Sequence, residues 1–339
     1  MTSGLLNRLT ETLPREVHTT IFDETPSNPD EMAVVAATGL YQDNDCDGVI
    51  AFGGGSSLDL GKAVALMATH DGKLSNYTTH QADAAPIGRV APLIAIPTTA
   101  GTGSEVARAS VIILNSGEKR IVSSSNLIPK LAILDPELTL SLPPILTAAT
   151  GMDAVTHCIE AICSPVDNPN AEAIGLDGLA RSIGTGALLR AVADGTDREA
   201  RADMMKASTQ GAMAFSKGLG AVHAMSHACG KDQTLKLHHG MLNAVLLPPV
   251  LRYNRGVASE KYQRISQVMR LPEGQDLASA IEDLNSQLGL PESLAQMGIT
   301  SAMISDLASH AETDMCSATN PLPMDRHRYA ELFEKALCS

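Results

Sequence analysis

Aromatic side chains are scarce in this sequence: five Tyr, four Phe and no Trp among 339 residues, 3% in all. The core must therefore be built from aliphatic side chains and Met. Stacking bases or sugars on aromatic faces is a poor fit to such a composition. Basic residues are also few, with 25 Lys and Arg against 38 Asp and Glu and a formal net charge of −13. Neutralising phosphates takes clustered Lys and Arg, so this balance argues against a nucleic-acid binder and against docking on an anionic membrane surface. No stretch reaches the roughly 18 uninterrupted apolar residues of a membrane span. The opening residues, 1–18, lack the apolar centre of a secretory signal. No two of the six cysteines (Cys46, Cys158, Cys163, Cys229, Cys316, Cys338) are spaced CxxC, so they read as reduced thiols of a cytoplasmic protein. What is abundant is apolar residues, 44% of the chain. That suffices for a buried core and argues against disorder. The length suggests about two domains at roughly 150 residues each.

Hydrophobic periodicity divides the chain near Leu142-Pro143-Pro144. Before that point, helical patterns (2–13, 28–41, 58–69) alternate with short apolar runs. Val17–Phe22 reads as a strand. Gly48–Phe52, Leu93–Ile96 and Leu131–Leu134 are continuous apolar runs, as in strands buried on both faces of a parallel sheet. After it, strand signals fade and 148–163, 171–193, 198–217, 222–228, 242–253, 259–269, 277–288 and 324–336 read as helices. The expected architecture is an α/β nucleotide-type domain, residues 1–142, followed by an all-helical domain, residues 143–339.

Two turns follow apolar runs in the first part. Gly53-Gly-Gly-Ser56 stands where a strand meets a helix. Glycine lets a backbone approach a phosphate closely, and a helix N-terminus offers free N–H donors. Ser56 is placed to cap that helix, with Asp59 in its first turn. Pro97–Glu105 is a second such turn, with the hydroxyls of Thr98, Thr99 and Ser104, and with Thr102 and Glu105 at capping-box spacing for a following helix. Ligands of open parallel sheets bind at the carboxyl ends of the strands. Two turns of this kind point to a dinucleotide.

The helical part carries a second pattern. Asp153 and His157 are four residues apart, as are His223 and His227, which places each pair on one helix face. His238 and His239 follow, and which of them points inward stays open at this level. One carboxylate with three imidazoles suits Fe(II), Zn, Cu or Ni.

Together these stretches resemble the iron-containing alcohol dehydrogenases. They are GGGSSLDLGKA (53–63), PTTAGTGSE (97–105), KLAILDPELTLSLPPILTAATGMDAVTHCIEA (130–161) and GLGAVHAMSHACG with HHGMLNAVLLPPVLRYN (218–254). The resemblance implies a Rossmann-like dinucleotide-binding domain and an all-α metal-binding domain, the architecture shared with dehydroquinate synthase. It implies Asp153, His157, His223 and His239 as ligands of Fe(II) or Zn(II), and His227 as an extra imidazole for proton relay or substrate contact. Gly54, Gly55 and Ser56 would line the pyrophosphate of NAD or NADP. Asp59, Thr98, Thr99, Ser104 and Lys119 would lie along the cofactor cleft, Lys119 by its spacing to Pro129 and Asp153. The implied reaction is hydride transfer between a nicotinamide and a small primary alcohol, diol or hydroxy acid, in a homodimer or larger homo-oligomer. Family members usually carry a further strand and loop ahead of the helix with which this sequence opens, which would leave a sheet edge unpaired. A maleylacetate-reductase-like activity and a shortened, non-catalytic paralogue are the alternatives. Cys229, two residues after His227, stands where oxidation would reach the site.

Overall fold

The computed structural model describes residues 4–79, 84–231 and 234–338. Residue contacts divide it into two units. One runs up to Ser141 apart from Ala100–Gly103; the other takes Ala100–Gly103 and the chain from Leu142 onward.

The first unit contains helices α1 (Leu5–Thr12), α2 (Glu31–Asp43) and α3 (Gly55–Met67). Its strands are β1 (Val49–Gly53), β2 (Leu93–Pro97), β3 (Ala109–Ile113), β4 (Lys119–Ser123) and β5 (Leu131–Ala132). β1, β2 and β5 form a parallel sheet in that order, with Gly53 beside Pro97. The apolar runs thus become parallel strands. Only central β2 is largely buried; on the flanking strands Ile50 is 39% and Leu131 50% exposed. β1 has one strand neighbour among the described residues, and so does β5. The expectation of burial on both faces holds for β2 and fails for its neighbours.

Three other local readings are corrected. Val17–Phe22 forms no strand and pairs with none among the described residues. β5 stops at Ala132, two residues short of the apolar run. No helix follows Glu105; the chain goes on into the antiparallel hairpin β3–β4, so the Thr102–Glu105 spacing caps nothing. The expected opening helix begins at Leu5, and residues 2 and 3 lie outside the described residues.

The second unit is helical: α4 (Pro144–Cys163), α5 (Pro169–Leu179), α6 (Ala187–Ala193), α7 (Arg198–Ala214), α8 (Ala221–Cys229), α9 (His239–Val268), α10 (Leu277–Gln287), α11 (Ile304–Glu312) and α12 (Arg326–Leu337). Asn168, Asp197, Asp276 and Asp325 cap α5, α7, α10 and α12 by accepting first-turn N–H bonds. The expected helix 171–193 is broken by a π turn, Ala180–Gly184, and Gly186 in the left-handed region. The two segments expected around 242–269 are instead one 30-residue helix, although Pro248 and Pro249 lie inside it. A proline lacks the N–H that would reach four residues back. The carbonyl thus freed by Pro248 is that of Ala244, and Asn285 on α10 donates its Nδ2 to it over 2.7 Å. No described helix is long and apolar enough to cross a membrane.

Candidate active site

In the helical unit, three helices deliver one cluster. α4 contributes Asp153, His157 and Glu160; α8 contributes His223, Ser226 and His227; α9 opens with His239 and carries Asn243 one turn on. Close approach of α9 to α4 needs Gly240: a Cβ there would stand 2.0 Å from the Ala149 carbonyl oxygen. That contact brings His239 beside Asp153.

Asp153 Oδ1 lies 3.5 Å from His157 Nε2, 3.7 Å from His223 Nε2 and 3.5 Å from His239 Nε2. These separations are too long for hydrogen bonds. Each is of the size expected between two donor atoms on one first-row metal ion, about 3.4 Å when each lies ~2.1 Å from it. The rings are held from behind, as ligating imidazoles are. His223 Nδ1 meets Glu160 Oε2 at 2.6 Å, and Glu160 Oε1 accepts the Val222 N–H at 2.7 Å. His239 Nδ1 meets Ser226 Oγ at 2.9 Å. The Gly101 backbone approaches the His157 ring without closing a regular hydrogen bond. Asp153, His157 and His223 form a compact donor set that suits a divalent cation of borderline softness, and His239 joins it through its 3.5 Å approach to Asp153. His239, not its neighbour His238, presents the nitrogen that faces Asp153.

The electrostatics agree. Burial alone pushes Asp153 up, but the surrounding imidazoles of His157, His239 and His223 outweigh it and hold the carboxyl well below the usual range. Burial pushes His157 down to about 4. His223 is opposed by burial yet raised to about 9 by the carboxylates of Asp153 and Glu160 on either side of its ring.

His227 lies beside this cluster rather than in it. Its ring stacks on His239 at 5.5 Å, and its Nδ1 meets Asp314 Oδ2 at 3.0 Å. Asp314 Oδ1 also accepts the Cys316 N–H at 2.8 Å. Burial pushes Asp314 up, and His227 with the Cys316 N–H pulls it below the ordinary range. Cys229 is fully buried, and burial pushes its thiol up to about 12, so the expected oxidation-sensitive role loses its chemical basis.

In the α/β unit, the two turns lie side by side at the carboxyl ends of β1 and β2, joined by the Thr98 N–H to Gly53 carbonyl bond of 2.9 Å. Gly53 has φ +143°, a backbone conformation that side chains disfavour. The N-cap of α3 is Gly54, with no side-chain cap. Ser56 does not cap; its hydroxyl donates to the Ser27 carbonyl. The first turn of α3, with Gly55 and Ser56 in it, therefore offers backbone donors of the kind that hold a phosphate. Thr99 lies against Gly54. Asp59 is not in the first turn. Its carboxylate accepts Ser104 Oγ at 2.6 Å and the Val111 N–H at 3.0 Å, with Lys62 and Lys119 nearby. Asp59, Ser104 and Lys119 thus belong to one internal network that ties α3 to the second turn and the hairpin.

Sequence motifs missed Lys62, Glu160, Asn243 and Asp314. Each acts through a partner distant in the chain: Lys62 Nζ donates to Ser104 Oγ and the Ala109 carbonyl, both at 2.8 Å. Two had a local signal as well: Glu160 lies at helical spacing from His157 and Asp153 on α4, and Asn243 one turn after His239 on α9.

A family model described as iron-containing alcohol dehydrogenase matches residues 1–136, and one for the C-terminal part of the Fe-containing alcohol dehydrogenase family matches residues 147–337. A 4-hydroxybutyrate dehydrogenase of Cupriavidus necator is 50% identical over 325 residues, 94% of this chain and 85% of that protein. The crystal structure of a 1,3-propanediol oxidoreductase superposes with a TM-score of 0.91 at 33% identity, covering 99% of this chain and 88% of that one. A sulfoacetaldehyde reductase from Bifidobacterium kashiwanohense, solved in complex with NAD+, gives 0.90 at 29% identity over 100% and 88%. The chain belongs to the iron-containing alcohol dehydrogenase family and is an oxidoreductase of alcohols or hydroxy acids.

Proposed function

We propose that this protein is a metal-dependent, NAD-linked dehydrogenase that interconverts a small hydroxy acid or diol with its aldehyde. The single observation that carries the metal is the near-equal spacing of three imidazole nitrogens around one Asp153 oxygen. A divalent ion such as Fe(II) held there would supply a Lewis acid for the alcohol oxygen, and a bound nicotinamide would supply the hydride acceptor. Asp153, His157, His223 and His239 hold the ion, and Glu160 and Ser226 fix the rings of His223 and His239. Asp314, as a carboxylate, can only accept from His227, so the ring proton sits on Nδ1. Nε2 is then the nitrogen that takes up or gives back the alcohol proton. Gly54, Gly55 and Ser56 receive the pyrophosphate, with Thr98 and Thr99 beside it, and Asp59, Ser104 and Lys119 brace the second turn.

NAD is favoured over NADP by the NAD+ found in the sulfoacetaldehyde reductase, and a hydroxy acid by the likeness to the 4-hydroxybutyrate enzyme. The working form is a cytoplasmic homo-oligomer, in keeping with six unpaired thiols. The test is oxidation of 4-hydroxybutyrate and 1,3-propanediol with NAD+ or NADP+, and reduction of their aldehydes, after anaerobic loading with Fe(II) or Zn(II). Turnover that requires metal and prefers NAD is expected. Asp153→Ala and His239→Ala should lose both metal and turnover. Wild-type metal content in either variant refutes the ligand assignment, and loaded protein inert toward every substrate overturns the dehydrogenase reading.

A further inference from the structure

One group in the ligand cluster is left unused by the catalytic reading. Asn243 is fully buried on α9, one turn after His239. Its Nδ2 donates to Asp153 Oδ1 over 2.8 Å and lies 3.3 Å from both His223 Nε2 and His239 Nε2. One amide thus reaches three of the four atoms that face the metal position.

Which end of the amide faces them follows from the carboxylate. Asp153 offers only lone pairs, so an amide oxygen turned toward it would set two acceptors against each other at hydrogen-bond distance. The nitrogen must face inward, and the price is visible at the other end, where Asn243 Oδ1 is buried without a partner. A packing role does not call for this, since an apolar side chain of the same volume would fill the space and orphan nothing.

A buried carboxylate among three imidazoles would otherwise close onto one of them at ordinary hydrogen-bond length, and the even spacing would be lost. We propose that Asn243 is the positioning residue of the metal centre, its amide holding the ligand oxygen of Asp153 equidistant from the three imidazoles before and after a metal binds. The inference rests on the metal-site reading above and adds a residue outside the four ligands. Losing the hydrogen-bond partner of a metal-ligating carboxylate costs about 10–100-fold in metal affinity.

Asn243→Leu keeps the volume and removes the donor. The full-length chain, stripped of metal, is titrated with Co(II) against a competing chelator, and the visible absorption of the Co(II) form reports ligand geometry. The Leu variant should keep the wild-type circular dichroism, bind Co(II) about 10–100-fold more weakly and show a displaced absorption maximum. Wild-type affinity within twofold and an unchanged spectrum overturn the proposal. If the Leu variant does not fold, Asn243→Ala decides by the same two readings. A wild-type chain that takes up no Co(II) removes the metal-site reading and this inference with it, a result distinct from a variant that behaves like the wild type.

Discussion

Asp314 stands to His227 as Glu160 stands to His223: a carboxylate on Nδ1 that fixes where the ring proton sits. The consequence differs, because Nε2 of His223 faces Asp153 and the proposed metal position, whereas the role proposed for His227 is to move a proton. Asp314→Asn should therefore lower kcat about 10–100-fold while metal content stays at the wild-type level. Equal loss of metal would make Asp314 part of the ligand scaffold. Lys62 poses a different residue-scale problem. It is completely buried, and burial pushes its ammonium from 10.5 down to about 8, partly offset by Asp59 and Glu105. Between those values the unfolded chain binds more protons than the folded one, so stability rises with pH across that window. The full rise is on the order of 3 kcal/mol, at 1.36 kcal/mol per unit. Urea midpoints from pH 7 to 10.5 should climb for the wild type relative to Lys62→Met, which lacks the titrating group. Parallel curves would mean that Lys62 titrates as an exposed lysine.

Elements divide by whether their signal is local. β1, β2 and α3 were legible because continuous apolar runs and glycine turns lie within a few residues of each other. So were the helices bearing the ligands, because Asp153/His157 and His223/His227 repeat at one turn. The hairpin β3–β4 was not, since Lys119 and Arg120 begin its second strand and interrupt any apolar run. The unity of α9 was not legible either. Pro248-Pro249 signals a break, and what cancels it is Asn285, 41 residues away, donating to the freed Ala244 carbonyl. Asn285→Ala would leave that buried oxygen unpaired at a cost of about 1–3 kcal/mol, measurable as a lower denaturation midpoint. No change would mean that the carbonyl finds another donor. The site follows the same rule: Asp153/His157 and His223/His227 stand out by spacing, whereas the choice of His239 over His238 and the contacts of Asn243, Glu160 and Asp314 are fixed only by tertiary packing.

At the scale of the whole molecule, the two proposed binding sites belong to separate hydrophobic cores. One cluster of buried aliphatic side chains, including Val34, Leu58, Leu66 and Leu93, belongs to the unit with the glycine turns; another, including Met152, Val155, Val222 and Leu242, comes from the helices that carry the proposed metal ligands. Every proposed metal ligand is in the helical unit and every proposed dinucleotide contact is in the α/β unit. A ligand stabilises the region whose native form it binds, by about 4 kcal/mol at a thousandfold excess over Kd. Amide hydrogen exchange resolves where that protection falls. Zn(II) added to metal-free protein should slow exchange in α4, α8 and the first turns of α9 and leave β1, β2 and α3 unchanged. NAD+ should do the reverse, with the largest effect at Gly54–Ser57. Protection of α3 by Zn(II) alone would show that the ion binds outside the Asp–His cluster. Failure of NAD+ to protect the glycine turn would move the dinucleotide away from Gly54, Gly55 and Ser56.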